Sequence, residues 1–332
     1  MTHYDSKCLN TVNEKKLSII IVSYKVKDHI LSCLSSIFEN RADWPLEVIL
    51  VDNNSKDSTV DMIKDDFKNV IIIENDRNLG FAVANNQGLK KATGEYILFL
   101  NPDTKVLPET FDKSIAFLEN NPEAGAVGCR ILNPDGTLQY SCKSYPSFWN
   151  YFFESTFLYK LFAKNRWIGK FYMTNFDYAE VKEVDVVSGA YLLMRSRLLE
   201  EIGGWDERFF IYSEETDLCY RIKKSGKKIY FIPQAQIIHW GGKSTSQSPV
   251  EMFKQDHKSR YLFMRKHYNM ITIFFSECII FIGVCLRTAL WGLLNIFRTL
   301  FRKPGAEEAR LKSGIFFRLF QWYLKFEFLK NN

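Results

Sequence analysis

Glycine, proline and histidine are scarce in this sequence: 17, 9 and 5 of its 332 residues. That scarcity excludes a collagen-like or low-complexity chain and leaves few imidazoles for a histidine-rich metal site. The seven cysteines, Cys8, Cys33, Cys129, Cys142, Cys219, Cys278 and Cys285, are odd in number and share no short paired spacing. Neither a zinc ribbon nor a disulfide framework is expected, and the thiols read as reduced. The longest apolar run, 271–286, is read as falling short of the roughly 20 predominantly apolar residues of a spanning helix. The chain is polar through Lys16, and the apolar run 17–22 is too short for a signal-peptide core, so the protein is expected on the cytosolic side. A Gly-rich phosphate loop is also missing, because Ser23-Tyr24-Lys25-Val26-Lys27 follows the first apolar run. No internal repeat is present.

What is present is aromatic and unevenly charged. At this length the chain can hold one large α/β domain or two smaller ones. Apolar residues make up 46% and charged residues 25%, ordinary for a globular protein, but 28 Phe and 16 Tyr need buried or interfacial homes. The net charge of +6 is concentrated at one end: residues 251–332 hold 14 basic and 6 acidic residues, leaving 30 and 32 for the rest. The basic residues of this tail are interleaved with Phe, Trp, Leu and Ile. That mixture suits an anionic membrane surface better than nucleic acid.

Apolar runs at 17–24, 46–52, 70–74 and 95–101 alternate with amphipathic stretches near 28–39, 57–67, 80–92 and 109–120. This is a βαβ series, which predicts a mostly parallel sheet with right-handed crossovers. Further strands are expected at 124–132, 183–194, 229–232 and 235–239, with helices at 195–202 and 214–225. Residues 133–183 are aromatic-rich and irregular, and are our expectation for acceptor contacts. In the tail, 271–286 is apolar apart from Ser276 and Glu277, and Arg287 interrupts it, so a span is not expected. Arg318, Gln321 and Lys325 fall on one stripe of 311–330, as in a helix lying in a membrane interface; the alternative is an extra helical layer packed on the domain.

The chemistry-bearing residues sit at strand ends. Asp103 follows the apolar run 96–100, where a doubly wound sheet places ligand-facing groups, and is a candidate metal or phosphate-side residue. Asp52 ends the second run, where a carboxylate can accept from a base N–H or a sugar hydroxyl; turn and cap chemistry explains its neighbours better than it explains Asp52. Gly80 opens a helix whose N-terminal amides favour anions. Glu214-Glu215-Thr216-Asp217 supplies carboxylates able to take a proton, and His239 is a neutral ligand suited to a divalent ion. Trp205 is placed either to stack on a sugar or to pack in the core, with Asp206 beside it. Gly189 lies where backbone could approach a sugar.

In this order, Val51-Asp52-Asn53-Asn54-Ser55, Asn78-Leu79-Gly80-Phe81-Ala82, Asn101-Pro102-Asp103-Thr104, Gly203-Gly204-Trp205-Asp206-Glu207, Glu214-Glu215-Thr216-Asp217-Leu218 and His239-Trp240-Gly241-Gly242 resemble the inverting glycosyltransferase family 2 over roughly residues 17–244. Within it the set is most similar to the rhamnosyltransferase-type branch, which builds bacterial surface polysaccharides of the cell envelope. The resemblance implies an α/β GT-A fold, a Rossmann-like mostly parallel sheet flanked by helices. Together with the composition, this divides the chain into a polar segment 1–16, a catalytic domain 17–245 and a basic, aromatic-rich helical tail 246–332, which the charge pattern places at the inner face of the plasma membrane. The resemblance assigns Tyr24, Asp52, Gly80, Asn86, Asn101 and Asp103 to the nucleotide sugar, and Asp103 and His239 to Mn²⁺ or Mg²⁺; the reading of the residues themselves adds Gly189 on the sugar side and Trp205 and Asp206 for the acceptor. Glu215 is implied as the general base, with Glu214 next in line. Two departures stand out: Asn101 replaces the first acid of the family's Asp-x-Asp motif, removing one anionic ligand, and Glu215 replaces an aspartate. The implied reaction moves a sugar, such as L-rhamnose from dTDP-rhamnose, to a lipid-linked or polysaccharide acceptor. Alternatives are a nucleotidyltransferase or a non-catalytic carbohydrate- or membrane-binding module, and no nucleic-acid partner is expected.

Overall fold

The computed structural model describes residues 16–40, 45–162, 164–165, 167–169, 171–241 and 249–325. Most of 1–16, the boundary expected at 245–246, Gly242 and the end of the tail beyond Lys325 lie outside the described residues. Four parallel strands form one half of the main sheet: β1 (Leu17–Ser23), β2 (Leu46–Asp52), β3 (Val70–Glu74) and β4 (Tyr96–Leu100). β1 is buried along its whole length, the pattern of a parallel strand covered on both faces. Between these strands run α1 (Lys27–Glu39), α2 (Thr59–Asp66) and α3 (Phe81–Leu89). Gly88 brings α3 onto β1, since a Cβ there would lie 2.5 Å from Ile20 Cγ2.

After β4 the chain forms β5 (Thr104–Val106), α4 (Thr110–Asn120), β6 (Ala124–Leu132) and the short β7 (Leu138–Gln139) and β8 (Cys142–Lys143). The aromatic stretch left unassigned from sequence contains α5 (Phe148–Ser155) and α6 (Leu158–Leu161). The single strand expected at 183–194 is three: β9 (Lys182–Val184), β10 (Val186–Val187) and β11 (Tyr191–Arg195). Their partners differ, for β9 pairs with β12 (Lys228–His239), β10 with β8, and β11 lies antiparallel between β4 and β6. Ser188-Gly189-Ala190 is the break between two of them. α7 (Ser196–Ile202) and α8 (Glu214–Lys224) precede β12. The sheet runs β3-β2-β1-β4-β11-β6-β12-β5. β12 slips register between Ile232 and Gln236, around Pro233, which has no N–H for the ladder.

Three helices complete the described chain: α9 (Pro249–His267), α10 (Met270–Leu300) and α11 (Ala306–Leu324). α10 corrects the expectation of a short interrupted apolar stretch. It is continuous through Arg287 over 31 residues and holds an 18-residue window with a mean hydropathy of 2.0, so by length and composition it is long and apolar enough to cross a membrane. Arg287 does not break it because its guanidinium turns inward, to the carbonyls of Glu154 and Ser155 on α5. A separate apolar cluster, including Tyr151, Met264, Ile273, Val284, Leu319 and Trp322, joins these helices to α5.

Candidate active site

The carboxyl ends of β1, β2 and β4 lie side by side, and the loops leaving them form one edge of the site. Tyr24 follows β1 and is 36% exposed. Asp52 ends β2 and is buried; its carboxylate accepts from the Ser55 N–H at 2.9 Å and from the Ser55 hydroxyl. The Lys25 N–H donates to the same hydroxyl at 3.1 Å, tying the two loops together.

Asp103 and His239 converge from the loop after β4 and the end of β12. His239 sits opposite Thr104 in the antiparallel β5–β12 pair, and the Trp240 N–H donates to the Asp103 carbonyl at 3.0 Å. His239 Nε2 consequently lies 3.2 Å from Asp103 Oδ1. Burial alone would raise the Asp103 pKa, but the hydrogen bond and charge of His239 outweigh it and hold the carboxyl below its usual range. Asn101 Nδ2 is 3.3 Å from the same imidazole nitrogen. Gln139, a residue that sequence reasoning missed, orients the ring. Its amide nitrogen donates to Asn133 Oδ1 at 2.9 Å and to the His239 carbonyl at 3.4 Å, so its oxygen faces His239 Nδ1 at 2.6 Å. A neutral His239 then carries its proton on Nδ1 and turns a bare Nε2 towards the Asp103 carboxylate. That juxtaposition is satisfied by a second proton or by a cation. Two cis ligands at about 2.1 Å from an octahedral ion lie about 3 Å apart, so the pair fits a divalent ion. Among the described residues no group of three or more His, Cys, Asp and Glu comes together, so the protein offers this pair and Asn101 rather than a closed cage.

The acid pair adjoins these ligands through the backbone. The Asn101 N–H donates to the Ala190 carbonyl at 3.1 Å, and a Cβ built on the neighbouring Gly189 would lie 3.7 Å from Glu215 Cβ. Tyr212 and Ser213 enter α8 with φ of 70° and 61°, a left-handed turn that places both glutamates at the helix start. Glu214 is buried, one of its oxygens has no hydrogen-bond partner among the described residues, and burial followed by the Glu215 charge raises its pKa well above the usual range. Glu215 is half-buried, and its carboxylate accepts from the Thr216 hydroxyl at 3.4 Å. Asp217 is fully buried and belongs to neither role. It pairs with Arg221 at 2.8 Å, as its helical spacing allows, and with Lys266 and His267 of α9, each at 2.7 Å.

Four residues expected at the ligand have other work. Both N–H groups and the oxygen of the Asn86 amide are taken by the Trp205 backbone and by Glu207. Gly80, at φ 88°, accepts from Asn53, and its missing Cβ makes room for the Phe210 carbonyl. Trp205 is 2% exposed, with its ring edge-on to Phe81 and Phe99 at 5.6 and 4.8 Å, so no face is left for a sugar. Asp206 is claimed by Arg208 and Lys266, both at 2.6 Å. These residues build the loop in front of α8. Lys266 and His267 escaped the sequence reading because they fall outside the βαβ pattern, and a two-residue strand such as the one holding Gln139 leaves no periodic signal.

Comparison with known proteins bears on the fold and the family. The chain is 27% identical over 264 residues to an N-acetylglucosaminyl-diphospho-decaprenol L-rhamnosyltransferase of Mycobacterium tuberculosis, covering 76% of this chain and 85% of that protein. It is 25% identical over 257 residues to the rhamnosyltransferase WbbL of Escherichia coli, covering 75% and 92%. A mannosyltransferase from Pyrobaculum calidifontis, solved with GDP-Man and Mn²⁺, superposes with a TM-score of 0.54 at 15% identity over 92% of this chain and 85% of that one. The family model described as glycosyl transferase family 2 matches residues 18–203, more than half of the sequence. On that match, and with its α/β GT-A architecture, the chain belongs to glycosyltransferase family 2 and is a glycosyltransferase.

Proposed function

We propose that this enzyme is a metal-dependent, inverting transferase that moves L-rhamnose from dTDP-L-rhamnose to a lipid-linked or polysaccharide acceptor. It would act as a peripheral protein on the cytoplasmic membrane surface, with residues 17–245 as its catalytic domain. Family membership displaces the nucleotidyltransferase and binding-module alternatives. The observation that carries the reading is the approach of His239 Nε2 to Asp103 Oδ1, linked through Asn101 and Ala190 to Glu215. The choice of sugar follows the names of the mycobacterial and Escherichia coli relatives, and the choice of metal follows the Mn²⁺ of the structural neighbour and the mixed imidazole and carboxylate donors.

Asp103 and His239 would hold the ion and Asn101 would steady His239. A bound Mn²⁺ or Mg²⁺ supplies neutralisation of the charge that develops on the leaving diphosphate. Tyr24 and Asp52 would meet the nucleoside from the β1 and β2 loops, and the absent side chain of Gly189 leaves space for the sugar in front of Glu215. Inversion requires the acceptor hydroxyl to attack opposite the leaving group, and Glu215 would take its proton. Thermal melting against a panel of nucleotide sugars, with and without Mn²⁺, tests the reading. A metal-dependent shift should appear for dTDP-L-rhamnose and vanish in Asp103→Ala. Glu215→Gln should keep the shift and lose transfer. No shift with any donor, in folded protein, would refute it.

A further inference from the structure

Away from the catalytic edge, α5, α6, α9, α10 and α11 line an open cavity of about 460 Å³. Asp52, Asp103, Glu215 and His239 are absent from its lining, so it is not the reaction site. Its ionic lining is Lys160, Arg260, Arg287, Lys312, Glu154 and Asp256, four cations against two anions. Arg260 holds both carboxylates, at 3.1 Å from Glu154 and 2.9 Å from Asp256, and so occupies the acidic side of the cavity. The remaining cations lie over aromatic rings of the same lining, Arg287 on Phe157 at 4.4 Å, Lys160 on Tyr159 at 5.8 Å and Lys312 on Trp291 at 4.5 Å, contacts that leave their charge without a neutralising anion or with a weak one. Arg287 donates only to the carbonyls of Glu154, Ser155 and Gly283 and has no ion-pair partner among the described residues. Lys160 is exposed and also lacks an ion-pair partner there. Lys312 pairs with Glu308 at 2.6 Å, but both side chains are well exposed, at 40% and 56%, and such a pair is weak. A cavity with a surplus of cationic donors fits a phosphate.

The helix that walls this cavity supplies a second observation. On α10, Ile271, Phe275, Ile282, Leu286, Leu293 and Leu300 are 48–73% exposed. Their steps of four and seven residues place them on one face, whereas Glu277 and Arg287 turn towards the protein. An outward apolar stripe backed by an inward cationic pocket is how a helix lying in a bilayer interface meets lipid, chains on one side and headgroups on the other.

We propose that the cavity seats the phosphate of an anionic membrane phospholipid whose acyl chains lie along the outward face of α10. The proposal deepens the membrane-surface part of the function above and is independent of its donor and metal. The test is thermal melting of the full-length protein with dihexanoyl phosphatidylglycerol below its micelle concentration, using wild type, Lys160→Gln/Lys312→Gln, and the charge-matched control Arg302→Gln/Lys303→Gln from the exposed turn after α10. Wild type and control should shift alike, and the cavity variant should need about 25-fold more lipid, from about fivefold per lysine. Equal shifts in all three proteins, no shift in wild type, or an equal shift with dihexanoyl phosphatidylcholine would overturn the assignment. So would an equal shift with inorganic phosphate alone, which would make the cavity a free-anion site. Should the double variant fail to melt cooperatively, Lys160→Gln alone, at an exposed position, carries the same comparison. Because nucleotide sugar and metal are left out, failure here and failure of the transferase reading remain distinguishable.

Discussion

Replacing Asp217 by Asn tests how the helix bearing the acid pair is held. The fully buried carboxylate faces Arg221, Lys266 and His267, all within 2.8 Å. Asparagine keeps the shape and removes the charge, leaving two permanent cations around a neutral amide. Breaking a buried pair costs about 3–5 kcal/mol. Here Arg221 and Lys266 keep 17% and 21% of their side-chain exposure and can turn partly to water, so the lower end, about 3 kcal/mol, is expected. At roughly 2–4 °C per kcal/mol for a chain of this size, calorimetry should show a melting point about 6–12 °C lower. The pH dependence gives an independent sign. Burial raises the Asp217 pKa, but His267, Lys266 and Arg221 together lower it below the usual 3.8. Its stabilisation is therefore present above about pH 4 and is lost as pH falls through the depressed folded value. Wild type should lose this increment in acid, and Asp217→Asn should have none to lose. Transfer should fall as well, because the start of α8 carries Glu214 and Glu215. A loss below about 1 kcal/mol with an unchanged acid profile would refute the charge-hub account.

Three further outcomes are expected. Glu214 has a folded pKa raised by burial and by Glu215, so the folded state gives up stability as pH rises above the ordinary value of 4.5; Glu214→Gln should melt higher at pH 7, lose that decline and retain transfer, and a lower melting point at neutral pH would contradict the upward shift. Gly80→Ala combines φ 88° with a Cβ 2.6 Å from the Phe210 carbonyl oxygen, and should cost about 1–3 kcal/mol in denaturant titration; a neutral substitution would mean that the Phe210 loop yields freely. Gln139→Leu removes the acceptor that fixes His239 and should weaken Mn²⁺ binding about 10–100-fold by calorimetric titration with a nucleoside diphosphate present, whereas unchanged affinity would remove Gln139 from the metal site.

The parallel half of the sheet was legible because strands buried on both faces leave unbroken apolar runs, as in 17–24 and 46–52, with 3.6-period helices between them. The antiparallel part was harder to read. The run 183–194 is apolar enough for one strand, yet its partners are β12, β8, β4 and β6, which no local pattern encodes. In the site, Asp103 and His239 were picked from strand-end position, and the structure brings them together. The contacts of Trp205 and Asn86 with the protein itself were not legible, because an aromatic ring or an amide near a ligand-facing loop has the same local signature whether it meets ligand or backbone. Lys266, His267 and Gln139 act through contacts 50 to 100 residues away in sequence. α10 was undervalued because Glu277 and Arg287 count against a membrane helix in a linear window, although both side chains turn inward.

The grip of Lys266 and His267 on Asp217 also determines where the chain can be shortened. A protein stopped at residue 245 keeps every motif that identifies the family, yet it strips two of three positive partners from a carboxylate with no access to water. The chain that behaves as an enzyme is then longer than the chain that looks like one. Shuffling or grafting this catalytic unit between proteins should succeed only when the helix ending at His267 travels with it.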